Sequence, residues 1–179
     1  VKAMRSSLNS LEIAGEVVIG EGERDKAPML YIGEKVGSGN GPKVDIALDP
    51  LEGTTICATG GSNALTVLAF SKKGGFLNAP DVYMDKIAIG GNLPNDIINL
   101  DDEPNVNLKN LAKAKKVNIN DLVVCILNRP RHEEIIRKCR EVGARIFLIS
   151  DGDVSGVIAT SNPFSGIDIY MGIGGAPEG

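Results

Sequence analysis

Apolar positions along the chain change period several times. Val1, Met4, Leu8 and Leu11 recur at three- and four-residue steps, which predicts a helix over residues 1–10. A short apolar run at 16–19 reads as a strand, and 27–36 as a helix-like segment. Gly, Ser, Asn and Pro over 37–42 mark a linker. Strands are expected at 44–48 and 64–70, the second closed by the turn Lys73-Gly74-Gly75, and at 86–89. A polar stretch with prolines over 90–105 then separates this half from a regular alternation: helix 107–116, strand 122–127, helix 131–142, strand 145–149, helix 153–160, and an apolar run at 167–171. Such alternation predicts a parallel sheet joined by crossovers. The expected class is α/β, with an α+β first half and an α/β second half, divided into domains 1–103 and 104–179.

Composition narrows what such a fold could serve. The chain has 179 residues, 42% of them apolar, which is enough for a packed core. A net charge of −4 gives no electrostatic case for binding nucleic acid or an acidic membrane. No apolar run approaches the length of a bilayer span, and the sequence does not open on a basic-plus-apolar leader. Cys57, Cys125 and Cys139 have neither metal-ligand nor disulfide spacing, which predicts a reducing, cytoplasmic setting with the thiols as small core hydrophobes.

Two acidic clusters follow the ends of expected strands. Asp49-Pro50-Leu51-Glu52-Gly53-Thr54 comes directly after Val44, Ile46, Ala47 and Leu48. Oxygen ligands at a turn suit hard cations such as Mg2+ or Mn2+, which share their remaining positions with water and phosphate oxygens. The same residues could instead form a surface turn with Glu52 solvated. Gly20-Glu21-Gly22-Glu23-Arg24-Asp25 packs three carboxylates into five residues after 16–19, where they repel unless a cation or solvent compensates. Asp25 lies where it could orient a water beside a metal, and an exposed charged loop is the alternative.

In the second half, Arg129-Pro130-Arg131 follows a strand at the edge where open α/β sheets bind ligands, and guanidinium groups match phosphate oxygens. Pairing with Glu133 and Glu134 is the competing role. His132, the only histidine, reads as structural. Asp151-Gly152-Asp153 ends the next strand, where the carboxylates could accept sugar hydroxyls or cap a helix. Tyr83 could be a strand aromatic or a hydroxyl donor, and Lys86 stays open. The glycines of 172–179 would admit a phosphate, yet no P-loop Lys-Ser/Thr pair accompanies them.

The run from Gly20 to Glu34 resembles the signature of class II fructose-1,6-bisphosphatases. Asp49-Pro50-Leu51-Glu52-Gly53-Thr54 is similar to their form of the Asp-Pro-x-Asp-Gly-Thr motif of lithium-sensitive sugar and inositol phosphatases. The segments at 128–132, 148–154 and 172–179 resemble further family blocks in the family's order. The resemblance implies a layered sugar-phosphatase fold and a Mn2+- or Mg2+-dependent hydrolysis of fructose 1,6-bisphosphate to fructose 6-phosphate and phosphate, in gluconeogenesis. It implies Glu21, Asp49, Glu52 and Glu178 as metal ligands, with the Leu51 carbonyl assisting. Asp25 and Thr54 would be catalytic. Glu52, Gly53, Thr54, Tyr83, Arg129, Pro130, Arg131, Asp151, Gly152, Asp153 and Gly175 would bind a small sugar bisphosphate. No nucleic-acid or membrane partner is implied, and assembly into a homo-oligomer is left open. Sedoheptulose-1,7-bisphosphatase activity, alone or alongside, is the alternative within enzymes, and a sugar-phosphate-binding module without turnover is the alternative outside them. Inositol monophosphate fits less well, because two arginines imply a second phosphate. Both ends read as cut: a further metal-binding Asp is expected upstream of Val1 and a helix after Gly179.

Overall fold

The computed structural model describes residues 1–21, 29–77, 79–80 and 82–178, with Glu178 described by its backbone only. It divides into two compact units. The first comprises Val1–Glu52 and Ala64–Val82, and the second Gly53–Asn63 and Tyr83–Gly179.

In the first unit, helix α1 (Lys2–Asn9) precedes a four-stranded mixed sheet ordered β2-β1-β3-β4. Strand β1 is Ala14–Ile19, β2 Lys35–Val36, β3 Lys43–Glu52 and β4 Leu65–Lys72. β1 and β3 run parallel, while β2 and β4 pair antiparallel on either side. Leu8, Val17, Leu30, Val36, Ile46 and Leu48 form its core.

The helix expected over 27–36 is absent from the described part, 29–36. Leu30 (φ 59°) and Gly33 (φ 91°) both take left-handed backbone, and β2 follows immediately. The buried Glu34 carboxylate accepts from the Leu30 N–H and pairs with Arg5, so a side chain holds the turn that helical carbonyls would otherwise hold. Apolar Met29, Leu30, Tyr31 and Ile32 imitate a helical face, but the glycine after them breaks it.

The second unit holds a sheet ordered β5-β8-β6-β7. Here β5 is Tyr83–Ile89, β6 Val123–Leu127, β7 Arg145–Ile149 and β8 Ile169–Gly175. β6 runs parallel to both β7 and β8, and β5 is antiparallel to β8. The α/β class expected from the alternation is the class observed. Strand β5 precedes residue 104 in sequence yet belongs to this sheet through β8.

Four helices accompany these strands in the described residues: α2 (Thr54–Thr59), α3 (Pro104–Lys115), α4 (Glu133–Glu141) and α5 (Asp153–Ser161). α3 starts three residues earlier than periodicity predicts because Pro104 occupies its first turn, where a missing N–H costs nothing. Leu108, Leu111, Leu122, Val124, Ile126, Cys139, Ile169 and Met171 build a second core. Cys125 and Cys139 are buried, which pushes their thiols up to about 11, whereas Cys57 is exposed rather than in a core. No helix among the described residues is long and apolar enough to cross a membrane.

His132 ties two strand ends together. Its ring is fully buried, Nδ1–H donates to the Leu127 carbonyl at 2.7 Å, and Nε2 accepts the Ile173 N–H at 2.8 Å. Those partners fix the neutral tautomer. Burial lowers its pKa below 6.5, and the charges of Arg131 and Arg129 add to that against the raising effect of the two backbone bonds.

Two predictions follow from this packing. Gly37 has φ 92°, and an added Cβ would lie 2.3 Å from the Ile13 carbonyl oxygen, whereas Gly39 (φ 80°) faces open space. Gly39→Ala should cost only the left-handed backbone term, about 1–2 kcal/mol. Gly37→Ala should cost more, about 2–4 kcal/mol in urea unfolding, because backbone must move as well. Equal losses would mean that the close approach to Ile13 is unimportant. For His132 the folded pKa lies below the unfolded one, so its stabilisation is fully present above about pH 6.5 and is lost as pH falls through the window beneath. His132→Phe should flatten that slope between pH 7.5 and 5 while lowering stability throughout, and an unchanged slope would assign the pH dependence elsewhere.

Candidate functional site

The acidic residues of the first unit gather because β1 and β3 are parallel neighbours. Ile19 pairs with Ala47, so the chain leaves both strands at one edge: Glu21 just beyond β1, Asp49 and Glu52 at the end of β3. Glu21 is held there by a bridge to Tyr31, its N–H donating to the Leu30 carbonyl at 3.0 Å. Gly20 permits this crossing, since a Cβ would lie 2.4 Å from the same carbonyl oxygen.

Pro50 sits where the β3–β4 register shifts between Asp49 and Glu52, an irregularity that tolerates a residue without N–H. The Asp49 carboxylate accepts the Leu51 N–H at 2.8 Å, and Thr66 Oγ1 donates to the Pro50 carbonyl at 3.0 Å. The turn is thereby fixed from both sides. Glu52 is 6% exposed, an unusual position for a carboxylate. The donors are all oxygens, the chemistry that hard divalent cations take. Among the described residues no group of three or more Asp, Glu, His or Cys side chains closes into a metal-holding cluster. Asp25 and the side chain of Glu178, both expected at the site, lie outside the described residues.

In the second unit the carboxyl ends of β6, β7 and β8 share one edge, and most of the expected substrate residues are found there. Arg129 follows β6 and opens the single turn Pro130–His132. Arg131 donates through Nε and Nη2 to the Ile173 carbonyl at 3.0 and 2.9 Å, and its guanidinium lies 4.9 Å from the centre of the Tyr83 ring. Tyr83 pairs in register with Gly175 across β5 and β8, so Tyr83, Arg131 and Gly175 meet at one corner. Stacking on an aromatic face and two bonds to one carbonyl set the plane of the guanidinium.

Asp151 follows β7 and uses both carboxylate oxygens. Oδ1 pairs with Arg129 at 3.3 Å, and Oδ2 accepts the Thr55 N–H at 3.0 Å. It thus caps α2, whose own N-cap residue, Gly53 (φ 87°), has no side chain to do so. Thr54, the first residue of α2, is exposed. Gly152 (φ 77°) makes the turn into α5.

Asp153 has a different surrounding. It is buried, and its Oδ2 pairs with Lys86 Nζ at 3.0 Å. Arg129, Asp151, Gly152 and the start of α2 therefore form one group, and Asp153 with Lys86 another. Sequence reasoning left Lys86 open and expected any cap by Asp151 or Asp153 on the helix that follows them, not on α2. A lysine in mid-strand directly before the apolar end Ile87-Ala88-Ile89 of β5 is the signal that could have flagged the first, and contacts between residues 96 apart carry none for the second.

Comparison with known proteins places the chain in a family. The family model described as "Bacterial fructose-1,6-bisphosphatase, glpX-encoded" matches residues 1–179. The chain is 52% identical over 180 residues to "Fructose-1,6-bisphosphatase 1 class 2" of Escherichia coli (strain K12), covering all of this chain and 53% of that protein. It is 48% identical over 179 residues to "Fructose-1,6-bisphosphatase class 2" of Haemophilus influenzae, covering 54% of it. The chain spans about half the length of the curated relatives it matches. With a family match running through every residue that builds the two strand edges, the chain belongs to the glpX-encoded bacterial fructose-1,6-bisphosphatase family.

Proposed function

We propose that the protein hydrolyses the 1-phosphate of fructose 1,6-bisphosphate, giving fructose 6-phosphate and inorganic phosphate, as a gluconeogenic enzyme of the cytoplasm. The family match over residues 1–179 carries this reading. The strand-edge placement of acids in one unit and arginines in the other supports it.

In this proposal Glu21, Asp49, Glu52 and Glu178 hold Mn2+ or Mg2+, with help from the Leu51 carbonyl. The cation would supply positive charge against the phosphoryl oxygens and acidify the attacking water. The chain's own residues do the remainder. Asp25 and the Thr54 hydroxyl orient the water, and the Asp25 carboxylate accepts its proton as oxygen bonds to phosphorus and the bond from phosphorus to the C1 oxygen breaks, the departing C1 alkoxide taking up a proton from solvent. Glu52, Gly53 and Thr54 position the reacting phosphate. Arg131 and Arg129 grip the phosphate that stays, with Tyr83 and Pro130 shaping that end. Asp151, Gly152 and Asp153 form the sugar-binding turn, and Gly175 leaves room beside Tyr83.

The test uses the full-length chain. Phosphate should be released from fructose 1,6-bisphosphate with Mn2+ or Mg2+ present and not after chelation, and faster than from sedoheptulose 1,7-bisphosphate. Absence of metal-dependent release would overturn the proposal, and a preference for the seven-carbon substrate would reassign it. Arg131→Met should lower kcat/KM on fructose 1,6-bisphosphate at least about tenfold, since a charge-assisted contact is worth roughly 1.5–3 kcal/mol. On fructose 1-phosphate, which lacks the second phosphate, it should change little. Equal losses on both would place Arg131 in the fold or at the reacting phosphate.

A further inference from the structure

Among the described residues no lysine or arginine other than Lys86 is buried. It stands on β5 opposite Gly172 of β8, and positions 170, 172 and 174 of β8 share one face. That face is bare at two places. A Cβ on Gly174 would lie 2.2 Å from Asp153 Oδ2 and 3.3 Å from Lys86 Nζ, and one on Gly172 would lie 2.9 Å from the Tyr170 hydroxyl and 3.4 Å from His132 Nε2. The glycines thus clear space for polar groups brought by β5, α5 and the turn before α4.

The Lys86–Asp153 pair in that space is 7% and 5% exposed. Beside it the Tyr170 hydroxyl is buried with no hydrogen-bond partner among the described residues, and its pKa is raised by burial and then by the Asp153 charge. A buried ion pair is a poor way to gain stability, because apolar residues of similar volume often do as well. Its location gives a better reason. Asp153 is the first residue of α5, directly after Gly152, and Asp151 on the other side of that glycine holds both Arg129 and the Thr55 N–H.

We propose that Lys86 is a positioning residue: through Asp153 it fixes the turn 151–153, and through that turn the placement of Arg129 and the start of α2. This rests on the reading of the turn as part of the sugar-phosphate site. Lys86 itself is not needed as a substrate contact.

Two variants of the full-length chain test it, Lys86→Met, which removes the cation, and Gly174→Ala, which keeps both charges but drives a Cβ against the Asp153 carboxylate. In both, amide hydrogen exchange at Thr55 should accelerate about tenfold or more while amides 124–126 of β6 keep their protection. KM for fructose 1,6-bisphosphate should rise about tenfold with kcat changed less than about threefold. Thr55 exchange at the original rate in both variants would overturn the proposal. Protection lost equally in β6, or failure of both variants to fold, would make the pair a plain core element and overturn it as well. An altered Thr55 with unchanged KM would separate the turn from substrate binding and equally refute the role. If Thr55 responds but the unmodified protein releases no phosphate, the functional reading falls and the structural coupling stands.

Discussion

Parallel strand pairing is the constraint on which both chemical edges depend. Two parallel neighbours discharge their chains at the same end, so residues distant in sequence arrive side by side without any direct contact having to bring them there. In the first unit the pairing of β1 with β3 puts Glu21 and the Asp49 turn at one edge. In the second, β7, β6 and β8 do the same for Asp151, Arg129 and the glycine-rich end of β8. Register matters as much as direction. Along β3 the buried positions are Asp45 and then, in alternation, Ile46, Leu48, Pro50 and Glu52, so a shift by one residue would turn the alternating core face out and Glu52 with it.

The buried polar groups are consequences of that packing and also what gives it a single answer. His132 joins the end of β6 to β8 by accepting and donating one bond each, which leaves no freedom of tautomer. Glu34 replaces a helical turn with a side-chain bond to Leu30 N–H. Such contacts add little net stability each, yet leaving one partner unpaired in the interior costs far more than the bond contributes. They therefore exclude alternative packings more than they strengthen this one.

What could be read from the linear chain was whatever repeats locally. Strands at 122–127 and 145–149 and helix 153–160 are short regular runs bounded by turn residues, and they stand within a residue of the observed elements. The Asp49 turn was visible because two acids interrupt an apolar run beside Pro and Gly. Helix α2 was invisible, since six residues are too few to show a period and its cap comes from Asp151. The segment before β2 was misread because four successive apolar residues fit a helix until Leu30 and Gly33 adopt left-handed backbone. Pairing of Lys86 with Asp153, 67 residues apart, leaves no local trace beyond a charge where an apolar side chain would be expected.

Asp151 and Asp153 show why a motif alone underdetermines its parts. They are two residues apart with a left-handed glycine between them, and that reversal sends one carboxylate to the strand edge and the other into the interior. The outer one organises Arg129 and α2, and the inner one is itself organised by Lys86. Arg131 is arranged in a similar way by its own neighbours: the Ile173 carbonyl and the Tyr83 ring hold its plane with no ligand bound. A long side chain fixed during folding loses little further freedom on binding, so its remaining donors can meet a phosphate at a smaller entropic cost than a mobile arginine would incur. The strand edge is in this sense a set of charges already oriented by neutral and buried neighbours, an arrangement fixed by those neighbours as much as by the charges.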